Sequence, residues 1–233
     1  SVQAANNAIE SARGIAYPNA LNLPIDESKI PAFVKPYIEL TQKMAFLIAQ
    51  LSKSEIRSIN ITAEGEISEY LDSLQTFATV GVLAVSCGDE VNYVNANFIA
   101  KEKGIDLTTS EFSNHSGYQN KVSINITTPT GVKTISGTVF NEDVQRIVEI
   151  NGFPLDIEPK GKMIIMRNHD VPGVIGEVGK ILGNNNINIA DFRLSRGKEG
   201  ALAVILIDEK ACSDVLKKLD SLEAAIAVAY AEI

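Results

Sequence analysis

The chain is predicted to be an α+β protein of two domains, an α/β domain followed by a smaller one. Three observations carry this. Stretches that alternate apolar and polar residues with period two are interspersed with stretches whose apolar residues recur at three and four. The pattern resets at Ile157-Glu158-Pro159-Lys160-Gly161, a charged stretch punctuated by Pro and Gly that no regular element would hold in its interior. Beyond it the elements come in the order β-α-β-β-α-β, the ferredoxin-like arrangement. The expected divisions are residues 1–24, 25–157 and 158–233.

Residues 2–13, rich in Ala, Asn and Glu, favour a helix that Gly14 ends, before the extended segment Tyr17 to Pro24. That helix has too little apolar surface to stand alone. Between Pro31 and Lys53, Phe33, Val34, Tyr37, Ile38, Leu40, Met44, Leu47, Ile48 and Leu51 mark an amphipathic helix. Ile56 to Thr62 alternates as a half-buried strand. A long helix follows from near Ser68 to Gly88, apolar enough in its second half to lie under a sheet. Asn95 to Lys103 reads as a third helix stopped by Gly104, and Ile105 to Glu111 as a strand. Lys121 to Thr127 and Val132 to Phe140 form a hairpin around Thr128-Pro129-Thr130-Gly131, and a helix is expected over Glu142 to Val148. In the second domain the strands are Met163 to Met166, Ile187 to Leu194, Ala201 to Ile207 and Ala225 to Tyr230, with helices over Gly173 to Leu182 and Ala211 to Leu222.

The chain has 233 residues, 45% of them hydrophobic, enough for one large core or two modest ones. Its net charge of −8 would repel a phosphate backbone and an anionic lipid surface alike, which speaks against nucleic-acid and membrane-surface partners. The longest strongly apolar run, Phe77 to Val85, is far short of the roughly 20 residues that cross a bilayer. Cys87 and Cys212 lie far apart with no second Cys or His at ligand spacing, so no disulfide framework, zinc site or iron–sulfur site is expected. Together with a start that lacks the layout of a signal peptide and reads as the middle of a helix, this points to a piece of a longer cytoplasmic chain.

No G-x-G occurs, so a dinucleotide fingerprint is absent, and no cofactor is expected on this chain. His115 and His169 sit in no nucleophile or metal-ligating motif, and no catalytic residue is assigned. The acids Glu64, Glu66, Glu69 and Asp72 straddle a turn and a helix start, where they complement the dipole. Gly173, Gly176 and Gly179, three apart, would let a helix pack closely on a sheet or on a ligand.

One constellation points to a ligand. Asn168-His169-Asp170-Val171-Pro172-Gly173-Val174-Ile175-Gly176 joins the first strand of the second domain to its first helix, and Asn184 to Ile189 joins that helix to the next strand. The backbone N–H groups at Val174 to Gly176 would receive a carboxylate, Asp170 an ammonium group, and the Asn188 amide can both donate and accept. These match a small zwitterion, an amino acid. The same residues read equally as a helix cap at Asp170 and a turn closed by Asn188.

Asp170 to Gly176, then Gly183, then Asn188-Ile189 resembles the ACT domain, a ferredoxin-like module that binds amino acids and regulates metabolic enzymes. Tyr17 to Pro24, Val94-Asn95-Ala96, Val132 to Gly137 and Val148 to Gly152 resemble the intervening domain of the long bacterial D-3-phosphoglycerate dehydrogenases. The resemblance implies the C-terminal regulatory half of such an enzyme, with residues 1–24 a remnant of the catalytic half, whose NAD site and catalytic residues lie upstream. It further implies feedback control by L-serine, bound at Asn168, Asp170 and Asn188 with the backbone of Gly173, Val174 and Ile175, and self-association through the ACT domain as a homodimer or homotetramer. Asn168 stands where the family has His or Tyr. Arg146 matches a basic position the family uses for an anion, and with Lys133 and Lys160 it is the expected site for a phosphorylated substrate or another anion, the plainer alternative being a surface arginine paired with Glu142 or Glu149. Two other classes share these modules: a subunit of an iron–sulfur L-serine dehydratase, and a free-standing amino-acid sensor.

Overall fold

The computed structural model of the chain describes residues 30–52, 54–111, 117–198 and 200–233; the helix expected over 2–13, the extended segment 17–24 and His115 lie outside the described residues. The first helix, α1 (Val34–Gln50), follows the apolar spacing and buries Val34, Tyr37, Leu40, Met44, Leu47 and Ile48. Pro36 sits in its first turn, where no intrahelical N–H bond is lost. Strand β1 (Ser58–Glu64) leads into a 3-10 turn (Glu66–Tyr70) and α2 (Leu71–Cys87). Gly81 of α2 lies so close to α1 that a Cβ there would be 2.4 Å from the Gln42 carbonyl oxygen. The helical run Glu66–Glu90 has 25 residues, longer than its apolar stretch suggests, and by length and composition alone it could cross a bilayer; half of its most apolar window is buried inside the protein. A short helix α3 (Ala96–Glu102) and strand β2 (Asp106–Glu111) follow, then β3 (Lys121–Thr128), β4 (Gly131–Phe140), β5 (Val144–Ile150) and β6 (Phe153–Ile157).

These strands form one sheet in the order β2-β1-β3-β4-β5-β6, with β1 and β2 parallel and the other pairs antiparallel. Ile59, Ile61, Val122, Ile124, Ile126, Ile135 and Ile147 join the core with α1 and α2. The alternate residues make a polar face, on which Asn60 donates to Thr108 at 2.9 Å, Asn125 donates to Asn60 at 3.2 Å, and the Ser123 and Ser136 hydroxyls lie 2.9 Å apart. Residues 144–150 are a strand, correcting the helix expected over 142–148. Asn141 and Glu142, at φ 48 and 72, turn the chain back from β4 into β5, and a bulge between Ile147 and Glu149 leaves Ile147 and Val148 both buried, which breaks the alternation by which a strand is read.

The second domain comprises β7 (Lys162–Asn168), α4 (Val174–Asn184), β8 (Ile189–Gly197), β9 (Gly200–Ile207), α5 (Ser213–Asp220) and β10 (Ala225–Glu232). Its sheet order, β10-β7-β9-β8, is the one a βαββαβ chain adopts when both helices cover one face. Ile164, Met166, Ala203, Ile205 and Ile207 pack under α4 and α5 with Val174, Val178, Leu182, Val215 and Leu219. The alternate residues Met163, Ile165, Leu202, Val204 and Ala231 belong to the core of the first domain. Contacts outside this shared core also join the domains. The Gln50 side chain donates to the Glu232 carbonyl at 3.0 Å and accepts from the Glu232 N–H at 3.2 Å. The Phe153 ring packs on Gly197, where a Cβ would lie 2.9 Å from Phe153 Cε1.

Candidate functional site

The loop Asn168 to Gly173 leaves the end of β7 and enters α4 through Gly173, which caps the helix at φ 96, a backbone conformation that glycine adopts without strain. No side chain among the described residues caps this terminus. The N–H groups of Val174, Ile175 and Gly176, in the first turn, therefore have no partner within the helix. They face a cavity of about 470 Å³ lined by Asn168, Asp170, Gly173, Val174, Ile175 and Arg196 at its polar side, with Met166, Val178, Phe192, Leu194 and Ala203 as apolar wall.

Three groups give this cavity its chemistry. Asn168 is 2% exposed, and its Nδ2 is buried with no hydrogen-bond partner among the described residues. A buried donor left unpaired costs free energy unless a ligand or water accepts from it. Asp170 does not cap the helix; its carboxylate pairs with Arg196 at 3.2 Å. Arg196 is the basic side chain lining the cavity among the described residues, and sequence reasoning missed it because its partner lies on a distant loop. The donors thus outnumber the acceptors while Asp170 and Arg196 balance in charge, which suits a neutral molecule carrying both an anionic and a cationic end.

The structure brings together Asn168, Asp170, Gly173, Val174 and Ile175, and not Asn188. Asn188 precedes β8, whose Ile189 pairs with Ile207 opposite Lys162, whereas Asn168 pairs with Ala201. Six strand residues, about 20 Å, separate the two ends. Asn188 donates its side-chain amide to Asp208 at 2.6 Å and its N–H to Glu209 at 2.7 Å. Gly176 and Gly179 face open space, which corrects the expectation that they bring the helix close to the sheet.

Lys133, Arg146 and Lys160 do not form one cluster. Arg146 Nε lies 3.2 Å from Asp156 and its Nη1 3.8 Å from Glu158, not against Glu142 or Glu149. Lys160 meets the same Glu158 at 2.5 Å, and that hydrogen bond holds the Glu158 carboxyl below its ordinary pKa. Lys133 lies five residues along β4 from Thr138, the residue opposite Arg146, a separation of about 16 Å. It donates to the Leu51 carbonyl and lines a second cavity, of about 550 Å³, with Phe153, Ile165 and Arg167 between the domains.

The described residues of the parallel β1-α2-β2 unit do not fit a dinucleotide. The turn after β1, where a parallel β-α-β unit would hold a pyrophosphate, has the single glycine Gly65, and a Cβ there would lie 2.1 Å from the Gln119 carbonyl oxygen, so the space is filled by chain.

Comparison with known proteins places these elements. Residues 33–151 match the D-3-phosphoglycerate dehydrogenase intervening domain, and residues 162–224 match the ACT domain. The chain is 35% identical over 208 residues to D-3-phosphoglycerate dehydrogenase of Bacillus subtilis (strain 168), covering 89% of this chain and 40% of that protein. It is 30% identical over 234 residues to the protein of that name from Archaeoglobus fulgidus, covering 98% and 44%, and 29% identical over 185 residues to that of Synechocystis, covering 78% and 33%. It thus spans less than half the length of each of these relatives. With α1 to β5 inside the match over residues 33–151 and β7 to α5 inside that over 162–224, the chain belongs to the D-3-phosphoglycerate dehydrogenase intervening-domain family and carries an ACT domain behind it.

Proposed function

We propose that the chain is the regulatory portion of an NAD-dependent D-3-phosphoglycerate dehydrogenase and that its ACT domain binds L-serine as feedback effector. The observation that carries this is the buried, unpartnered Asn168 amide beside Asp170 and the α4 N-terminus in one cavity. The amino acid's carboxylate sits on the N–H groups of Val174 to Gly176 and on Asn168, and its ammonium group on Asp170. Two or three charge-assisted bonds of about 1.5–3 kcal/mol each leave micromolar to millimolar affinity after the cost of association. Asn188, at the far end of its own domain, reaches an effector only from a second copy, so the complete site lies between two ACT domains. Hydride transfer to NAD and oxidation of 3-phosphoglycerate belong to the rest of the parent enzyme, and no step of them runs through these residues.

The apolar wall of Met166, Val178, Phe192 and Leu194 favours a second reading, in which the effector carries a larger aliphatic or aromatic side chain. Calorimetric titration with L-serine, L-valine and L-phenylalanine separates the two. L-Serine is expected to bind wild type, and Asp170→Ala and Asn188→Ala are each expected to weaken it at least about tenfold, the loss of one charge-assisted contact. Affinity unchanged in both variants would put the site elsewhere.

A further inference from the structure

The cavity and the contact between the domains share one strand end. Successive residues of a strand point to opposite faces. On β8, Phe192, Leu194 and Arg196 face the cavity, while Gly197, next in sequence, lies under the Phe153 ring of the first domain. Phe153 opens β6, the edge strand of the six-stranded sheet. Gly197 pairs with Gly200, and Gly200, at φ 106, packs on Asn168, where a Cβ would lie 2.4 Å from its carbonyl oxygen. The end of β8 is therefore held between Asn168, which lines the cavity, and Phe153, which belongs to the other domain.

We infer that Arg196 is a positioning residue that reports an occupied effector site to the intervening domain, an inference that rests on the effector reading above. The guanidinium is held by Asp170 at 3.2 Å, and with side chains 72% and 39% exposed the pair is cheap to open. An ammonium group arriving at Asp170 replaces the guanidinium as its counter-charge, and Arg196 turns to the ligand's carboxylate. The strand end so has two discrete arrangements, one with Arg196 on Asp170 and one with Arg196 on ligand, which is what a coupling element needs. Gly197, against the Phe153 ring, passes the change to Phe153 and β6. A ligand with one charge alone leaves either Asp170 or Arg196 without a partner and does not complete the exchange.

The test is hydrogen exchange, read by mass spectrometry on the whole chain with and without saturating L-serine, in wild type, Arg196→Gln and Arg196→Lys. In wild type, L-serine is expected to slow exchange over 168–178 and to alter it over 153–157. In Arg196→Gln, affinity falls about tenfold, the worth of one charge-assisted bond, the 168–178 response persists at saturation, and the 153–157 response is lost. Arg196→Lys recovers part of it. A 153–157 response of wild-type size in Arg196→Gln, or none in wild type while 168–178 responds, overturns the relay and leaves the effector site standing. If 168–178 does not answer to L-serine in wild type, the L-serine effector reading itself fails and takes the relay with it.

Discussion

The two sheets of this protein differ in how many of their faces are covered, and the difference is written in their strands. In the six-stranded sheet, β3 alternates strictly between half-buried and buried residues, because helices cover one face and the other carries Ser, Thr and Asn. In the four-stranded sheet, Met163 to Met166 of β7 and Ala201 to Ile205 of β9 are buried without interruption. Odd and even positions serve different cores: Ile164 and Met166 pack under α4 and α5, while Met163 and Ile165 join the first domain. A continuous apolar strand in a small βαββαβ unit thus announces that something other than its own helices covers the second face.

The largest effect expected from breaking this contrast comes from placing a carboxylate on each sheet. Val204→Asp, at a position with 0% exposure between the domains, should lose at least about 3 kcal/mol of stability, whereas Ser123→Asp on the polar face should lose less than about 1. Urea unfolding of both variants checks this, and equal midpoints would mean that the second face of the small sheet is not buried. A smaller effect compares two helices. Gly81→Ala drives a methyl group into the α1 backbone and should cost about 1–3 kcal/mol, while Gly179→Ala, facing open space, should stabilise by about 0.5–1, both read from thermal unfolding. The smallest concerns Tyr230, on the edge strand of the small sheet. Burial, and then its hydrogen bond to Glu232 at 3.0 Å, push the phenol from 10.0 to about 12. Because the folded state favours the protonated phenol, that contribution is complete below pH 10.0 and is lost as the pH rises to about 12. Spectrophotometric titration of Tyr230→Phe should lack the tyrosine that titrates at about 12 in wild type, and its stability should fall less over that interval.

Most helices and strands were legible because their apolar spacing is uninterrupted, as in α1 and β9. The failures have local causes. At a bulge Ile147 and Val148 are buried in succession, so β5 lacks the alternation by which a strand is read. Strand β6, to which the sequence reading assigned no element, carries Pro154 and Asp156, which strands disfavour, and Pro is tolerated there because the strand lies at a sheet edge. Asn168, Asp170 and the α4 terminus were legible as a site because one short loop carries all of them. Arg196 was not, since its meeting with Asp170 depends on β7, β9 and β8 lying side by side. The distance of Asn188 from that loop was equally hidden, for a parallel relation between β7 and β8 follows from sheet order and not from spacing.

The paired hydrogen bonds between Gln50 and Glu232 bear on how copies of this chain can meet. Strand β10 is an outer strand of its sheet, and an outer strand offers its unpaired amides and carbonyls as a template for another chain. By donating to the Glu232 carbonyl and accepting from its N–H, the Gln50 side chain impersonates one residue of a neighbouring strand and occupies both groups at once. A visiting strand would meet a plug at the C-terminal end of β10. The template that β10 offers thus stops short of Glu232, and removing the plug with Gln50→Ala would lengthen it by one residue.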